Sequence, residues 1–151
     1  SSTNLPFPSA KFVLLHTFSH LMIKQLCFES GYGSSALKER IYVGDDQNEM
    51  QGILIYTADG DTEGSLGGLV RMGEEQRLMN SIESLISSAK WCSSDPACLE
   101  IGSPGTRGLN KAACHACCLI SETSCVYMNA LLDRGLIVGS EKENLQGYFD
   151  L

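Results

Sequence analysis

Residues 91–125 read WCSSDPACLEIGSPGTRGLNKAACHACCLISETSC and hold six of the chain's seven cysteines: Cys92, Cys98, Cys114, Cys117, Cys118 and Cys125. Cys92 and Cys98 bracket a short loop containing Pro96, and Cys114-His115-Ala116-Cys117 forms a C-x-x-C knuckle. Two separated cysteine pairs of this kind suit a tetrahedral zinc site, because thiolates at this spacing can meet one ion while the backbone turns around it. The linker between the pairs is rich in Gly, Pro and Ser, so it can fold back and bring them together.

Disulfides are the competing reading. A secreted chain is expected to carry an apolar leader and an even number of cysteines. No such leader is visible here and the number is odd, which favours zinc in a reducing, cytoplasmic compartment. Adjacent Cys117 and Cys118 are also awkward disulfide partners. A redox role for the knuckle would call for a preceding strand, which the pattern lacks. The spacing selects Cys92, Cys98, Cys114 and Cys117 as the zinc ligands. Cys125 is the rival for one of the four places. Cys118 reads as a small buried apolar residue, and His115, inside the knuckle, as a residue beside the site or on the surface.

The wider composition bounds the function. A length of 151 residues allows one domain with a real core. Hydrophobic content of 43% against 19% charged residues is that of a globular chain, not a disordered one. No apolar run is long enough to cross a bilayer. The net charge of -7 argues against this chain gripping nucleic acid alone, because phosphate binding depends on Lys and Arg. The start SSTNLPFP lacks an initiator Met and suggests a piece of a larger protein.

Outward from the cysteines, residues 1–8 read as an extended linker, 9–139 as a single zinc-binding domain and 140–151 as a C-terminal tail. Ser9 is a good N-cap for a helix from about Ala10 to Glu29, whose apolar residues cover most of its circumference and predict burial on several sides. Gly31 and Gly33 end it. Ser34 to Glu39 reads as a short second helix. Arg40 to Val43 and Gln51 to Thr57 read as strands, and Ala58 to Gly68 as an acidic, Gly-rich loop. Leu78, Met79, Ile82, Leu85, Ile86 and Ala89 recur at helical spacing, predicting a helix from about Glu74 to Lys90 that leads into Cys92. Val126, Met128, Leu131 and Leu132 suggest a last helix to about Arg134, with a terminal strand over 135–139. The class expected is α+β: a small mixed sheet packed by helices, with a cysteine zinc knuckle.

Other groups also carry potential chemistry. His16 and His20 share a helix face at i, i+4, but the sequence HTFSH lacks the Glu of the metalloprotease H-E-x-x-H motif. Two histidines hydrogen-bonded in the interior are therefore favoured over a ligand pair. Asp59, Asp61 and Glu63 imitate the start of a calcium loop, but Val70 stands where the closing Glu belongs. Gly64, Gly67 and Gly68 lack the Lys-Ser or Lys-Thr of a phosphate-binding loop. No nucleophile arrangement stands out, so no catalytic residue is assigned.

The segments LHTFSHLM (15–22), YTADG (56–60), Gly67-Gly68-Leu69 and the cysteine cluster occur in the order seen in the MrfA-like zinc-binding domain, which the chain resembles over roughly Phe12 to Gly139. YTADGDTEGSLGGL, WCSSDPAC and AACHACCLISETSC resemble most the branch found in a partner subunit of the DISARM phage-restriction system. That resemblance implies a zinc-binding domain attached to, or partnering, a superfamily-2 DNA helicase, with Cys92, Cys98, Cys114 and Cys117 standing at the family's ligand positions and Cys125 as the alternate. Helicase members end their cysteine segment in G-C-P-x-C; here the knuckle lacks the proline and the gap after Cys98 is longer. The role expected is non-catalytic: an accessory domain supporting assembly or DNA translocation in antiviral defence, reaching DNA through the complex and no membrane. The alternative, from another class, is a metal-dependent hydrolase or nuclease using His16, His20 and the Asp59, Asp61 and Glu63 loop around a second ion.

Overall fold

A 21-residue helix, α1 (Ala10–Ser30), forms the centre of the fold. The Ser9 side chain accepts the Phe12 N–H at 3.1 Å, supplying one of the donors a helix start leaves unpaired. Gly31 closes the helix in the left-handed region (φ 71°), where a residue without Cβ carries no steric cost, and its N–H reaches the Cys27 carbonyl. Phe12, Leu21, Met22, Ile23 and Leu26 are buried, as are His16, Thr17, Ser19 and His20. Burial on this scale follows from a helix that is apolar nearly all round. The computed structural model describes residues 9–44, 49–57, 68–100, 108–141 and 143–149. The acidic loop with Asp59, Asp61 and Glu63 lies outside the described residues.

On one side of α1 lies an antiparallel pair, β1 (Leu37–Val43) and β2 (Gln51–Thr57), in the register Leu37↔Thr57, Glu39↔Ile55, Ile41↔Ile53 and Val43↔Gln51. The α+β class therefore holds, and among the described residues the sheet has two antiparallel strands. The short helix expected over Ser34–Glu39 is replaced by a turn at 34–36 followed by the start of β1. Cross-strand pairing to Ile55 and Thr57 outweighs a helical preference that only a few residues could express.

Two helices follow β2: α2 (Gly68–Met72) and α3 (Glu75–Ala89). Leu85 and Ala89 of α3 pack into the same core as Met22, Ile23 and Leu26 of α1. A short α4 (Ala97–Glu100) carries Cys98, and α5 (Gly135–Val138) follows the cysteine segment.

Two expectations near the C-terminus fail for identifiable reasons. The helix expected over Val126–Arg134 is instead a run of turns, with Met128 (φ 53°), Asn129 (φ 57°) and Leu131 (φ 64°) left-handed. Side chains take up the backbone groups a helix would have used: Asn129 brackets Ile120, accepting its N–H at 3.0 Å and donating to its carbonyl at 2.9 Å. Asn110 Oδ1 accepts from Leu132 N–H, and Asn110 Nδ2 donates to the Asn129 carbonyl. The strand expected over 135–139 is α5, begun by the Asp133 carboxylate accepting the Gly135 N–H at 2.9 Å. Beyond it, Ser140 bridges Leu145, Tyr148 N–H donates to the Leu136 carbonyl, and Phe149 stacks on Phe18 of α1 with ring centroids 5.7 Å apart.

Candidate metal centre

The end of α3 delivers Cys92 into the interior. There Asp95 Oδ2 accepts the Cys92 N–H at 2.9 Å, and the Asp95 N–H returns to the Cys92 carbonyl, closing a tight loop. That loop sets α4 so that Cys98 points inward, 4% exposed. The knuckle is a turn wrapped round one carbonyl: the N–H groups of Cys117, Cys118 and Leu119 all converge on Cys114 O at 3.2, 2.9 and 3.0 Å. Lys24 of α1 holds the outside of this turn, its Nζ lying 3.0 Å from the His115 carbonyl and 3.4 Å from that of Ala116.

These two loops bring four sulfurs together. Cys92 Sγ and Cys114 Sγ are 3.5 Å apart, and Cys98–Cys117 and Cys114–Cys117 are each 3.7 Å apart. All four lie within 4.8 Å of one another. A disulfide needs about 2.05 Å, so these are not bonded pairs, and all seven cysteines are free. Four thiolates about 2.3 Å from a tetrahedral zinc stand about 3.8 Å apart. The donor set thus fits zinc in kind, number and separation.

The surroundings favour anionic sulfur. Ser94 N–H donates to Cys92 Sγ at 3.4 Å and Cys114 N–H to Cys117 Sγ at 3.3 Å. The neighbouring Cys118 thiol donates to Cys117 and, against the opposing effect of burial, holds it down at about 4. Burial would raise Cys114, but the Cys117 backbone N–H and the Cys92 thiol bring it below the ordinary thiol range. Cys92 and Cys98 move the other way, mainly through burial. A bound divalent cation favours all four thiolates together.

The remaining sequence candidates fall elsewhere. Cys118 is fully buried and outside the four-sulfur group, and His115 is exposed. Cys125, the rival ligand, is not at this site. It lies with His16, His20 and Glu39 in a second buried group. Glu39 is the residue the sequence reading missed, because it fell at the end of an expected helix. As a strand, Leu37-x-Glu39-x-Ile41-x-Val43 alternates, and Glu39 becomes a lone carboxylate on an otherwise apolar inward face. No helix among the described residues is long and apolar enough to cross a membrane.

Residues 18–118 match the family model of the MrfA Zn-binding domain. The chain is also 46% identical, over 138 residues, to the DISARM protein DrmB of Bacillus paralicheniformis. The matched region is 91% of this chain and 24% of that protein, so the chain spans about a quarter of the curated relative's length.

Proposed function

The chain belongs to the MrfA Zn-binding domain family, and from that premise we propose that it is the non-catalytic zinc-binding part of a DISARM-type antiviral defence protein, with Cys92, Cys98, Cys114 and Cys117 as the ligands. The observation that carries this reading is the four-sulfur cluster itself, with separations of 3.5–3.7 Å where zinc–thiolate geometry asks for about 3.8 Å. Four protein thiolates leave no coordination position for a water, so such a zinc holds structure and activates nothing. What it would hold is the junction of α3, α4 and the knuckle against α1.

The relative named DrmB is a DISARM protein, and its similarity covers nearly all of this chain. We carry from it a role in a cytoplasmic defence complex, in which this domain supports the assembly or DNA translocation of a superfamily-2 helicase partner. DNA is reached through that complex.

The test uses the full-length protein that carries this domain, expressed with its neighbouring defence genes. Tagged wild type is expected to hold zinc and to copurify with the helicase. A Cys114→Ser, Cys117→Ser double variant is expected to lose that zinc, the partner and phage protection together. Undiminished protection and copurification by a zinc-depleted double variant would overturn the proposal.

A further inference from the structure

We infer that the chain holds a second structural zinc, ligated by His16 Nε2, His20 Nε2, one Glu39 carboxylate oxygen and Cys125 Sγ, in a site separate from the four-cysteine cluster.

The donors converge. Glu39 Oε1 is 3.0 Å from His16 Nε2 and 3.2 Å from His20 Nε2, and Cys125 Sγ is 3.3 Å from His16 Nε2. The four ligand atoms lie within 4.8 Å of one another, and all four residues are buried. A tetrahedral zinc with ordinary bond lengths separates nitrogen from oxygen by about 3.4 Å and nitrogen from sulfur by about 3.6 Å. These three separations therefore need only a few tenths of an ångström of expansion to match the ion's geometry.

Hydrogen bonding on the far side of each ligand points the same way. His16 Nδ1 faces the Leu131 carbonyl at 3.3 Å, and His20 Nδ1 faces the Cys118 carbonyl at 2.9 Å. A carbonyl can only accept, so each Nδ1 carries a proton, and Nε2 is the nitrogen that each ring turns inward. The Ser19 hydroxyl donates to Glu39 Oε2 at 2.5 Å, leaving Oε1 directed at the two imidazoles. The Asn129 N–H donates to Cys125 Sγ at 3.3 Å. Every ligand is thus oriented by a partner outside the cluster, the arrangement that fixes imidazole and carboxylate ligands at metal sites.

Charge makes the same demand. Two imidazole Nε2 atoms, a carboxylate and a thiol converge where His16 and His20 are 0% exposed and Glu39 is 1% exposed. Buried acceptors facing one another are costly unless a cation lies between them. A divalent ion balances one carboxylate and one thiolate with no net charge remaining. Phe12 and Tyr127 cover His16, with ring centroids 5.5 and 5.3 Å from the imidazole. Four protein ligands beneath this cover leave no position for substrate or water, so the site is structural, and the hydrolytic use of His16 and His20 is disfavoured. The ion would tie α1, β1 and the 125–131 turn segment, which are well separated along the chain.

The rival occupant is a proton: one histidine charged against Glu39, with Cys125 a thiol. Metal counting and zinc X-ray absorption on the intact wild-type chain, purified without chelator, separate the two. The expected result is two zinc ions per chain with an averaged shell of about 2.5 sulfur and 1.5 nitrogen or oxygen donors. Cys125→Ser is expected to lower the zinc content or, where a serine oxygen keeps the ion, to cut the averaged sulfur number to about 2. One zinc with an all-sulfur shell in wild type overturns this inference and leaves the four-cysteine reading standing. One zinc with a single sulfur does the reverse.

Discussion

Arg134 Nη2 donates to Asp95 Oδ1 at 2.6 Å, joining the start of α5 to the loop that carries Cys92 and Cys98. The arginine is fully buried, its Nη1 donates to the Ala89 carbonyl at 2.9 Å, and Asp95 uses its other oxygen on the Cys92 N–H. One guanidinium therefore fixes both the end of α3 and the first cysteine loop. Its charge also lies close enough to Cys98 and Cys117 to interact with their thiolates. Removing one partner of a buried pair leaves the other desolvated and unmatched, which costs about 3–5 kcal/mol. Arg134→Met is expected to lose stability on that scale in urea unfolding and to release zinc faster to a chromogenic chelator. Asp95→Asn keeps an acceptor for Cys92 N–H but leaves the fully buried Arg134 charge without its counter-charge, so it should cost a similar amount, about 3–5 kcal/mol. Small losses from both changes would show that the pair does not hold the loop.

Cys117 and Cys118 are neighbours with different expected roles. Cys117 Sγ belongs to the four-sulfur group, while the Cys118 thiol is buried beside it and outside that group. A structural zinc contributes on the order of 10–16 kcal/mol in small peptide sites, comparable to or above the roughly 5–15 kcal/mol that stabilises a domain. Cys117→Ser should therefore leave the chain unfolded or insoluble. Cys118→Ala should keep full zinc content and fold, with a modest loss of stability from the small cavity. Circular dichroism and metal analysis on both variants check this; a folded, metal-free Cys117→Ser protein contradicts the ligand set.

Met128 sits in the left-handed region at φ 53° with its residue 51% exposed. That conformation costs an ordinary residue roughly 1–2 kcal/mol, while glycine adds roughly 0.5–1 kcal/mol of chain entropy on folding. Met128→Gly should therefore raise stability by up to about 1 kcal/mol. A clear drop in melting temperature would mean that this turn is not left-handed in solution.

The parts legible in the sequence are those set by local or periodic signals. Ser9 and Gly31 mark the ends of α1 because caps are short-range chemistry, and α3 follows from its apolar spacing. The Cys114 and Cys117 half of the cluster is readable because C-x-x-C geometry is itself local, whereas its meeting with Cys92 and Cys98 spans 19 to 22 residues. What escaped depends on tertiary partners. The left-handed residues Met128, Asn129 and Leu131 sit in a segment held by bonds between Asn129 and Ile120 and by Asn110, which lies 18 residues before Met128. Glu39 was hidden by the helical reading of 34–39, since only the register with β2 turns it inward. Cys125 has neighbours in space that no local pattern supplies: His16, His20 and Glu39, each more than 80 residues away in sequence.

The last expectation concerns nucleic acid. The chain carries 11 Lys and Arg against 18 Asp and Glu. Several of its cations already have internal work. Arg134 is buried, Lys111 pairs with Glu143 at 2.8 Å, Arg77 with Glu74 at 3.1 Å, and Lys24 is turned onto the knuckle carbonyls. Non-specific DNA affinity comes almost entirely from cations displacing counterions at phosphates, and its usual range of about 10⁻⁴–10⁻⁶ M requires several such contacts. This chain alone should fall at or below the weak end of that range, with little dependence on salt between about 50 and 200 mM. Fluorescence anisotropy with labelled duplex and single-stranded DNA measures both quantities. Micromolar binding that weakens steeply with salt would reveal a cationic surface able to overcome the net charge of -7. It would also mean that the domain touches DNA directly, rather than reaching it through a partner.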